Sequence, residues 1–174
     1  MNPRVLLLPL ITSFCVGCQP PEPETGGLMG VWVIHQIEYA DGTINSDPEP
    51  SQAIFTAENY SLLWIYPPTS LRSFEERWAP TDSEKIQRYG EIVVNSGTYE
   101  MTGDSLITLR PVVSRVPGFM GGGTLLYEYR VVGDTLKLTS LDEYSYDGIQ
   151  APWAASGSRV KLSLTRVEEL RPPN

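Results

Sequence analysis

The chain has 174 residues, of which 41% are hydrophobic and 20% are charged, a composition that is typical of a folded globular protein and excludes a disordered or fibrous one. The length suits one domain with its own core, so a second domain is not expected. The formal net charge of −8 excludes nucleic acid as an expected partner, because acidic side chains repel phosphates, and it disfavours direct adhesion to anionic lipid.

The first 17 residues have the three-part arrangement of a secretory signal. Arg4 lies beside the amino terminus, an apolar run follows from Val5 to Phe14, and Gly17 directly precedes Cys18. The apolar run is too short to span a bilayer. Both cysteines, Cys15 and Cys18, lie in this region, so the domain after it is expected to contain no disulfide. A redox-active Cys-x-x-Cys pair is a weaker alternative, because such pairs open a helix within a folded domain.

The segment Cys15-Val16-Gly17-Cys18 resembles the lipobox of bacterial lipoproteins, in which the last cysteine receives a diacylglyceryl group and becomes the mature amino terminus. The resemblance implies lipidation at Cys18, although Cys15 stands where that pattern usually has leucine. Gln19 resembles the outer-membrane sorting class, because aspartate at that position is the usual inner-membrane retention signal. We therefore expect a lipoprotein of the bacterial cell envelope, held on the outer membrane by its lipid and facing the periplasm. An ordinary signal peptide with an incidental cysteine is the alternative.

The rest of the chain divides into a spacer, a domain and a tail. Residues 18–27 are rich in Pro, Glu and Gly and predict a stiff spacer, whereas residues 168–174 predict a frayed tail. Between them, residues 28–167 form short runs of β-branched and aromatic residues separated by turn signals. The predicted strands are residues 29–39, 52–57, 60–66, 92–101, 105–113, 124–132, 135–142 and 158–167.

One helix is predicted within this series. Thr81 is followed three residues later by Glu84, which is a capping-box pattern. Ile86 gives an apolar side and Gly90 gives a stop. The pattern therefore predicts a short helix over residues 82–90, between the third and fourth strands.

Three segments stand in an order found in a known family. They are Gly30-Val31-Trp32, the block from Ser96 to Asp104, and the run from Tyr127 to Leu138. Together they resemble the bacterial lipocalin-like domain of the calycin type over most of residues 28–167. The resemblance implies an all-β, eight-stranded antiparallel up-and-down barrel whose cup takes a small apolar molecule. Physical reasoning favours the same architecture, because eight antiparallel strands can close on themselves and remove exposed edges.

Alternation along the last three strands predicts which side chains point inward. The inward set is Leu125, Tyr127, Tyr129, Val131, Leu136, Leu138, Val160, Leu162 and Leu164. Phenol hydroxyls inside a barrel need partners or a ligand, although large aromatic residues most often serve core packing. The first and third strands are apolar on both faces, so alternation does not fix their inward side. The residues expected to line a ligand cup are Trp64, Tyr99, Leu125, Tyr127, Tyr129, Leu138 and Leu162.

Trp32 and Arg166 are expected to close one end of the barrel. Trp32 begins the first strand and Arg166 ends the last, so barrel closure would bring them together. Arg166 shares a face with the inward Leu164, and a buried guanidinium needs a partner, which the Trp32 ring can provide. The two positions also resemble the Trp and Arg pair that closes lipocalin barrels. The alternative is that Arg166 lies beyond the barrel and is solvated.

The sequence contains few residues that could form a catalytic or metal-binding site. His35 is the single histidine, and no nucleophile motif accompanies it. We interpret His35 as a hydrogen-bonded wall residue, with haem ligation, known in a related calycin group, as the weaker alternative. No metal and no cofactor are expected, since paired His or Cys ligands are missing. Asp142, Glu143 and Asp147 predict a solvated rim loop rather than a calcium site, and Asp142 and Glu143, as strand neighbours, are not expected to form an acid/base couple.

These observations favour a binding function. The first hypothesis is a membrane-tethered periplasmic protein that binds a small apolar or amphipathic molecule. The alternative is a structural or protein-interaction lipoprotein whose barrel is filled by its own side chains, and cavity volume separates the two. An enzyme of isomerase or cyclase type ranks third. The oligomeric state cannot be inferred from the sequence.

Overall fold

The computed structural model describes residues 27–65 and 74–167. The predicted signal peptide, Cys18, nearly all of the predicted spacer and the tail of residues 168–174 lie outside the described residues. No helix in the described part of the chain combines the length and the apolar character that crossing a membrane requires.

One antiparallel sheet closes into a barrel. Its strands in the described chain are β1 (Gly30–Glu38), β2 (Ile44–Asn45), β3 (Gln52–Phe55), β4 (Asn59–Ile65), β5 (Ile92–Thr102), β6 (Leu106–Ser114), β7 (Thr124–Val132), β8 (Thr135–Tyr144) and β9 (Lys161–Arg166). Each strand from β3 to β8 pairs with the next, and β1 pairs with both β3 and β9. The short β2 pairs only with the end of β1. The predicted all-β antiparallel barrel of eight strands is confirmed, with β2 as an addition.

The position of the helix in the strand order differs from the prediction. Helix α1 (Asp82–Glu91) lies between β4 and β5, so its placement between the third and fourth strands is wrong. The reason is β2, whose two residues add a strand before the helix and are too few to show an alternation. The capping box is present: the Thr81 side chain accepts from the Glu84 backbone N–H, and the Glu84 carboxylate accepts from the Thr81 backbone N–H. A second short helix, α2 (Pro152–Ala155), was not predicted.

Three β-bulges change which side chains point into the barrel. The extra residues are His35 on β1, Val112 on β6 and Leu141 on β8. An extra residue inverts the alternation after it, because two residues on one strand then oppose one on its partner. On β1, for example, Ile34 and Ile37 are both buried on either side of the bulge. The exposed Val31 and Val33 alternate with the buried Trp32 and Ile34, so β1 is apolar on both faces, and the bulge then inverts the alternation.

Inward side chains fill the end of the barrel where β1 begins and β9 ends. The core residues that are no more than 1% exposed include Trp32, Leu62, Ile107, Leu109, Leu136, Leu138 and Leu164. On β7, β8 and β9 the residues predicted to face inward are buried or half-buried, and the intervening Glu128, Arg130, Lys137 and Lys161 are exposed. The inward face of these three strands is therefore confirmed. Each large apolar side chain buried in this way stabilises the fold by about 1.5 to 3 kcal/mol.

Candidate ligand-binding site

A cavity of about 380 Å³ lies at the end of the barrel opposite to Trp32. Its walls come from the last residues of β4 and β8, the first residues of β5 and β9, β7, and the segments that follow β1 and β6. Trp64, Val93, Val160 and Leu162 form the apolar part, and the polar groups come from Arg115, Tyr127, Ser140, Glu143 and Trp153. The volume lies within the range of small-molecule sites, about 300 to 1,000 Å³, and such sites combine apolar walls with placed polar groups.

The residues predicted to line a cup divide into two groups. Trp64, Tyr127 and Leu162 line the cavity. Tyr99, Leu125, Tyr129 and Leu138 do not, although all four belong to the inward set or pack against the core. Alternation predicts the face of a strand but not which inward side chains reach the cavity. Tyr129 lies nearer to the filled end than Tyr127 does, whereas Leu125, which pairs with Glu143, is packed into the core beside the cavity.

Two of these tyrosines have other contacts in the barrel. The Tyr99 hydroxyl donates to the carbonyl oxygen of Thr56 at 2.6 Å, and its ring packs edge-on against Phe55 with centroids 5.6 Å apart. Tyr129 lines a separate hollow of about 300 Å³, next to Leu28 at the filled end. Both side chains therefore have structural surroundings that do not include the cavity.

Tyr127 places a phenol hydroxyl at the cavity. The side chain is 6% exposed, and its hydroxyl makes no hydrogen bond to any of the described residues. Burial raises the pKa of Tyr127 well above that of a free tyrosine, with further contributions from Glu143 and Tyr60. The group is therefore a neutral hydroxyl that can both donate and accept. The buried Tyr60 hydroxyl also lacks a hydrogen-bond partner in the described chain, and it contributes to the raised pKa of Tyr127.

Glu143 reaches the cavity because of the bulge on β8. Tyr127 pairs with Ser140 and Leu126 pairs with Asp142, which leaves Leu141 as the extra residue. Without the bulge, the alternation from Leu138 and Ser140 would direct Asp142 inward; with it, Glu143 takes the inward side. The prediction that Glu143 belongs to a solvated rim loop is therefore wrong.

The two neighbouring carboxylates have opposite surroundings. One carboxylate oxygen of Glu143 accepts from Trp153 Nε1 at 2.8 Å, and the other accepts no hydrogen bond from the described residues. Burial raises the pKa of Glu143, while the Trp153 hydrogen bond and the charge of Arg115 oppose that rise. The Asp142 carboxylate accepts from Gln150 Nε2 at 2.9 Å and 3.1 Å, and this hydrogen bonding holds the pKa of Asp142 below its usual value. The pair cannot act on one substrate, since only Glu143 lines the cavity.

Arg115 is the cation at the cavity, and it is held by helix α1. Its guanidinium lies over the Tyr89 ring, 5.0 Å from the centroid, and Nη1 donates to the Tyr89 carbonyl oxygen. The Tyr89 hydroxyl in turn donates to the Arg115 carbonyl oxygen at 3.2 Å. The Nε atom is buried without a partner in the described chain. These contacts fix Arg115 against α1, and it forms no ion pair with Glu143.

The sequence matches no protein-family model and no curated protein. Among solved structures, the chain is similar to the crystal structure of a lipocalin-like protein from Bacteroides uniformis. The sequence identity is 16%, the similarity covers 82% of this chain and 100% of that chain, and the TM-score is 0.43.

Trp32 and Arg166 meet at the filled end of the barrel. They are direct partners in the pairing of β1 with β9, and Arg166 Cζ lies 4.1 Å from the centroid of the Trp32 ring. Arg166 donates from Nη2 to the Gly27 carbonyl oxygen at 2.7 Å and from Nη1 to that of Met29. Trp32 Nε1 donates to the Leu28 carbonyl oxygen at 2.8 Å. The residues just before β1 are thus held by side chains from both closing strands.

His35 lies on the outer surface of the barrel. It is the bulged residue of β1, its side chain is exposed, and Nδ1 is 3.1 Å from Thr165 Oγ1. An imidazole in this position does not face a pocket inside the barrel, so the haem alternative is wrong for His35. Within residues 27–65 and 74–167, no group of three or more His, Cys, Asp or Glu side chains is placed to hold a metal ion.

Proposed function

We propose that this chain is a lipocalin-like binding protein that holds one small apolar or amphipathic molecule at the open end of its barrel. The observation that carries the proposal is the cavity of about 380 Å³ between apolar walls. Water in contact with such walls is released when an apolar molecule enters, and this release favours binding. The few inward polar groups would orient the bound molecule.

The cavity also favours a binding protein over a barrel that is filled by its own side chains. The end of the barrel near Trp32 is filled in that way, with side chains that are almost fully buried. The other end is not filled, because the side chains of Trp64, Val160 and Leu162 line the cavity there. A purely structural role gives no reason to maintain such a volume, since an empty cavity costs stability.

Val160→Trp is expected to weaken the binding of a neutral hydrophobic probe, N-phenylnaphthylamine, by at least about tenfold. Val160 is half-buried at the cavity wall, so an indole there would occupy the space that the probe needs. Fluorescence titration of the purified domain measures the affinity. The matched control is Val132→Trp at the opposite end of the barrel, where the side chain is 60% exposed and binding should not change. Absence of probe binding by the unaltered domain would support the filled barrel instead.

We infer further that the domain is tethered through Cys18 to the bacterial outer membrane and faces the periplasm. The inference is supported by the signal layout before Cys18, by Gln19 after it and by the Pro- and Glu-rich spacer. The net charge of −8 disfavours direct adsorption to anionic lipid, so attachment requires a covalent lipid. The same charge disfavours nucleic acid as a partner.

Cys18→Ser is expected to move the protein from the membrane fraction to the soluble fraction of cells. The thermal unfolding midpoint should not change, because the anchor carries no core residue. Fractionation followed by immunoblotting measures the distribution. Cys15→Ser is the matched control and should leave the protein on the membrane. If the Cys18→Ser protein stays with the membrane, the anchor is not a lipid on this cysteine.

A further inference from the structure

The cavity contains a carboxylate with unused accepting capacity. Glu143 lines it, and only one of its two carboxylate oxygens is engaged, by Trp153 Nε1 at 2.8 Å. An ionised carboxylate has about four accepting positions, and a partly buried one is costly unless it is paired. None of the described cations forms an ion pair with it. The missing partner is therefore a donor that enters the cavity.

Arg115 does not fill this role. Its guanidinium stacks on Tyr89 and donates to the Tyr89 carbonyl oxygen, and it makes no ion pair with Glu143. Its charge acts on Glu143 only at longer range, where it favours the ionised form. Arg115 therefore opposes the rise in the pKa of Glu143 that burial causes, and it leaves the free carboxylate oxygen to the cavity.

The walls around Glu143 suit a cation with an apolar body. Trp64, Tyr127 and Trp153 line the same cavity, and aromatic faces attract ammonium groups. Val160 and Leu162 supply aliphatic surface beside them. The net charge of −8 on the whole chain also raises the local concentration of cations.

We propose that the ligand of this cavity is an amphipathic amine, whose protonated nitrogen pairs with Glu143 while its apolar body lies against Trp64, Val160 and Leu162. The inference rests on the proposed binding function and names the chemical class of its ligand. A carboxylate ligand fits less well, since Glu143 would repel it. A neutral alcohol fits the walls but leaves the carboxylate without a counter-charge.

The test compares three eight-carbon compounds that differ only in the head group: octylamine, octanol and octanoate. Calorimetric titration of the purified domain at neutral pH is expected to show octylamine binding about tenfold or more tightly than octanol, with octanoate weakest. A factor of ten is what one charge-assisted hydrogen bond of ordinary strength supplies. In Glu143→Gln the preference should fall to within a factor of about two or three, because the amide removes the charge and retains the shape.

Asp142→Asn is the matched control, since it removes the same charge from the neighbouring residue, whose carboxylate is engaged by Gln150. The preference for octylamine should survive this change. Equal affinities for the three compounds, or tighter binding of octanoate, would overturn the amine as ligand and leave the binding function standing. If none of the three compounds and no neutral probe binds, the binding function itself is overturned.

A pH titration of the unaltered protein tests the same pairing without a mutation. The titratable and charged groups around Glu143 are Arg115, Tyr127 and Asp142. Burial raises the pKa of Glu143 above its usual value and that of Tyr127 further above neutrality, whereas the pKa of Asp142 is lowered. In the pH range just above the usual pKa of a glutamate, Glu143 is therefore the group in this set that changes charge. An alkylamine remains protonated below about pH 10, so octylamine affinity should rise with pH over this window while octanol affinity stays constant. A flat octylamine profile would contradict the proposal.

The free energy of unfolding of Glu143→Gln shows whether the variant is folded, and its pH dependence reports on the burial of Glu143. The raised pKa of folded Glu143 means that the folded state retains its proton more strongly than the unfolded chain. Ionisation therefore disfavours the folded state as the pH rises above the unfolded pKa of about 4.3. The glutamine variant lacks this penalty, so its stability relative to the unaltered protein should increase from pH 4 to pH 7. A relative stability that is constant over this range would show that Glu143 is not desolvated.

Discussion

Replacing Gly97 with alanine is expected to lower the free energy of unfolding by about 3 kcal/mol or more. A Cβ atom at Gly97 would lie 2.0 Å from the carbonyl oxygen of Arg110 and 2.8 Å from the backbone nitrogen of Val112. Both are backbone atoms of β6 at its bulge, so rotation of a side chain cannot relieve the clash. β6 would have to move away from β5, which breaks the hydrogen bonds between these strands. Chemical denaturation followed by tryptophan fluorescence measures the loss.

Gly90→Ala is the control for this substitution. Gly90 lies in α1, and a Cβ atom there would meet nothing within 4 Å. Alanine in a helix is favoured over glycine by about 1 kcal/mol, so this variant should be equal to or more stable than the unaltered protein. If Gly97→Ala unfolds at the same denaturant concentration as the unaltered protein, β5 and β6 leave room for a Cβ atom at Gly97, and the predicted clash is wrong.

The inward faces of β7, β8 and β9 could be predicted because inward apolar residues alternate with exposed polar residues over much of these strands. Tyr127 on β7 precedes the exposed Glu128, and Leu162 on β9 follows the exposed Lys161. Both lie at the cavity. The same reasoning assigned Leu125 and Leu138 to the cup, yet they are core residues. An alternation with a period of two residues predicts only the face of the sheet on which a side chain lies. The depth of a residue in the barrel depends on the strand tilt and register, which the pattern does not encode.

Glu143 was not found from the sequence because a bulge is a property of the backbone. Leu141, the extra residue on β8, is an ordinary strand residue and does not mark a bulge by its type. The sequence therefore predicts Asp142 and Glu143 together in a solvated rim loop, and regular alternation continued from Leu136 and Leu138 would not have directed Glu143 inward. Bulges are enriched next to functional sites, where they direct a side chain away from its regular face, and this one brings a carboxylate into the cavity.

Arg115 and Trp153 were missed for a different reason. Both lie beyond the ends of strands, Arg115 after β6 and Trp153 in the short helix α2, so strand alternation does not reach them. For α2 a local signal did exist: Pro152 occupies the first helical position, where proline is favoured. No comparable signal places Arg115, whose direction is set by its contacts with Tyr89 in α1.

Arg166→Ala is expected to lower the free energy of unfolding by about 1 to 3 kcal/mol. The substitution removes a guanidinium that lies 4.1 Å from the centroid of the Trp32 ring and donates to the carbonyl oxygens of Gly27 and Met29. These carbonyls would be left without that donor, and the Trp32 ring would lose its cover. Arg110→Ala is the control, because Arg110 pairs with Glu100 at 3.0 Å on the exposed surface, where an ion pair adds little.

The geometry at this end explains why lysine should not substitute for Arg166. Gly30 has a φ of 139°, and a Cβ atom there would lie 2.6 Å from Arg166 Nη1, so the planar guanidinium lies directly against a glycine backbone. Lysine retains the charge but lacks the planar surface and the second donor. Arg166→Lys should therefore recover only part of the lost stability. A double-mutant cycle of Arg166→Ala with Trp32→Leu measures the coupling of the two side chains. If neither single substitution changes the free energy of unfolding, other contacts, such as those of Leu28, close this end of the barrel.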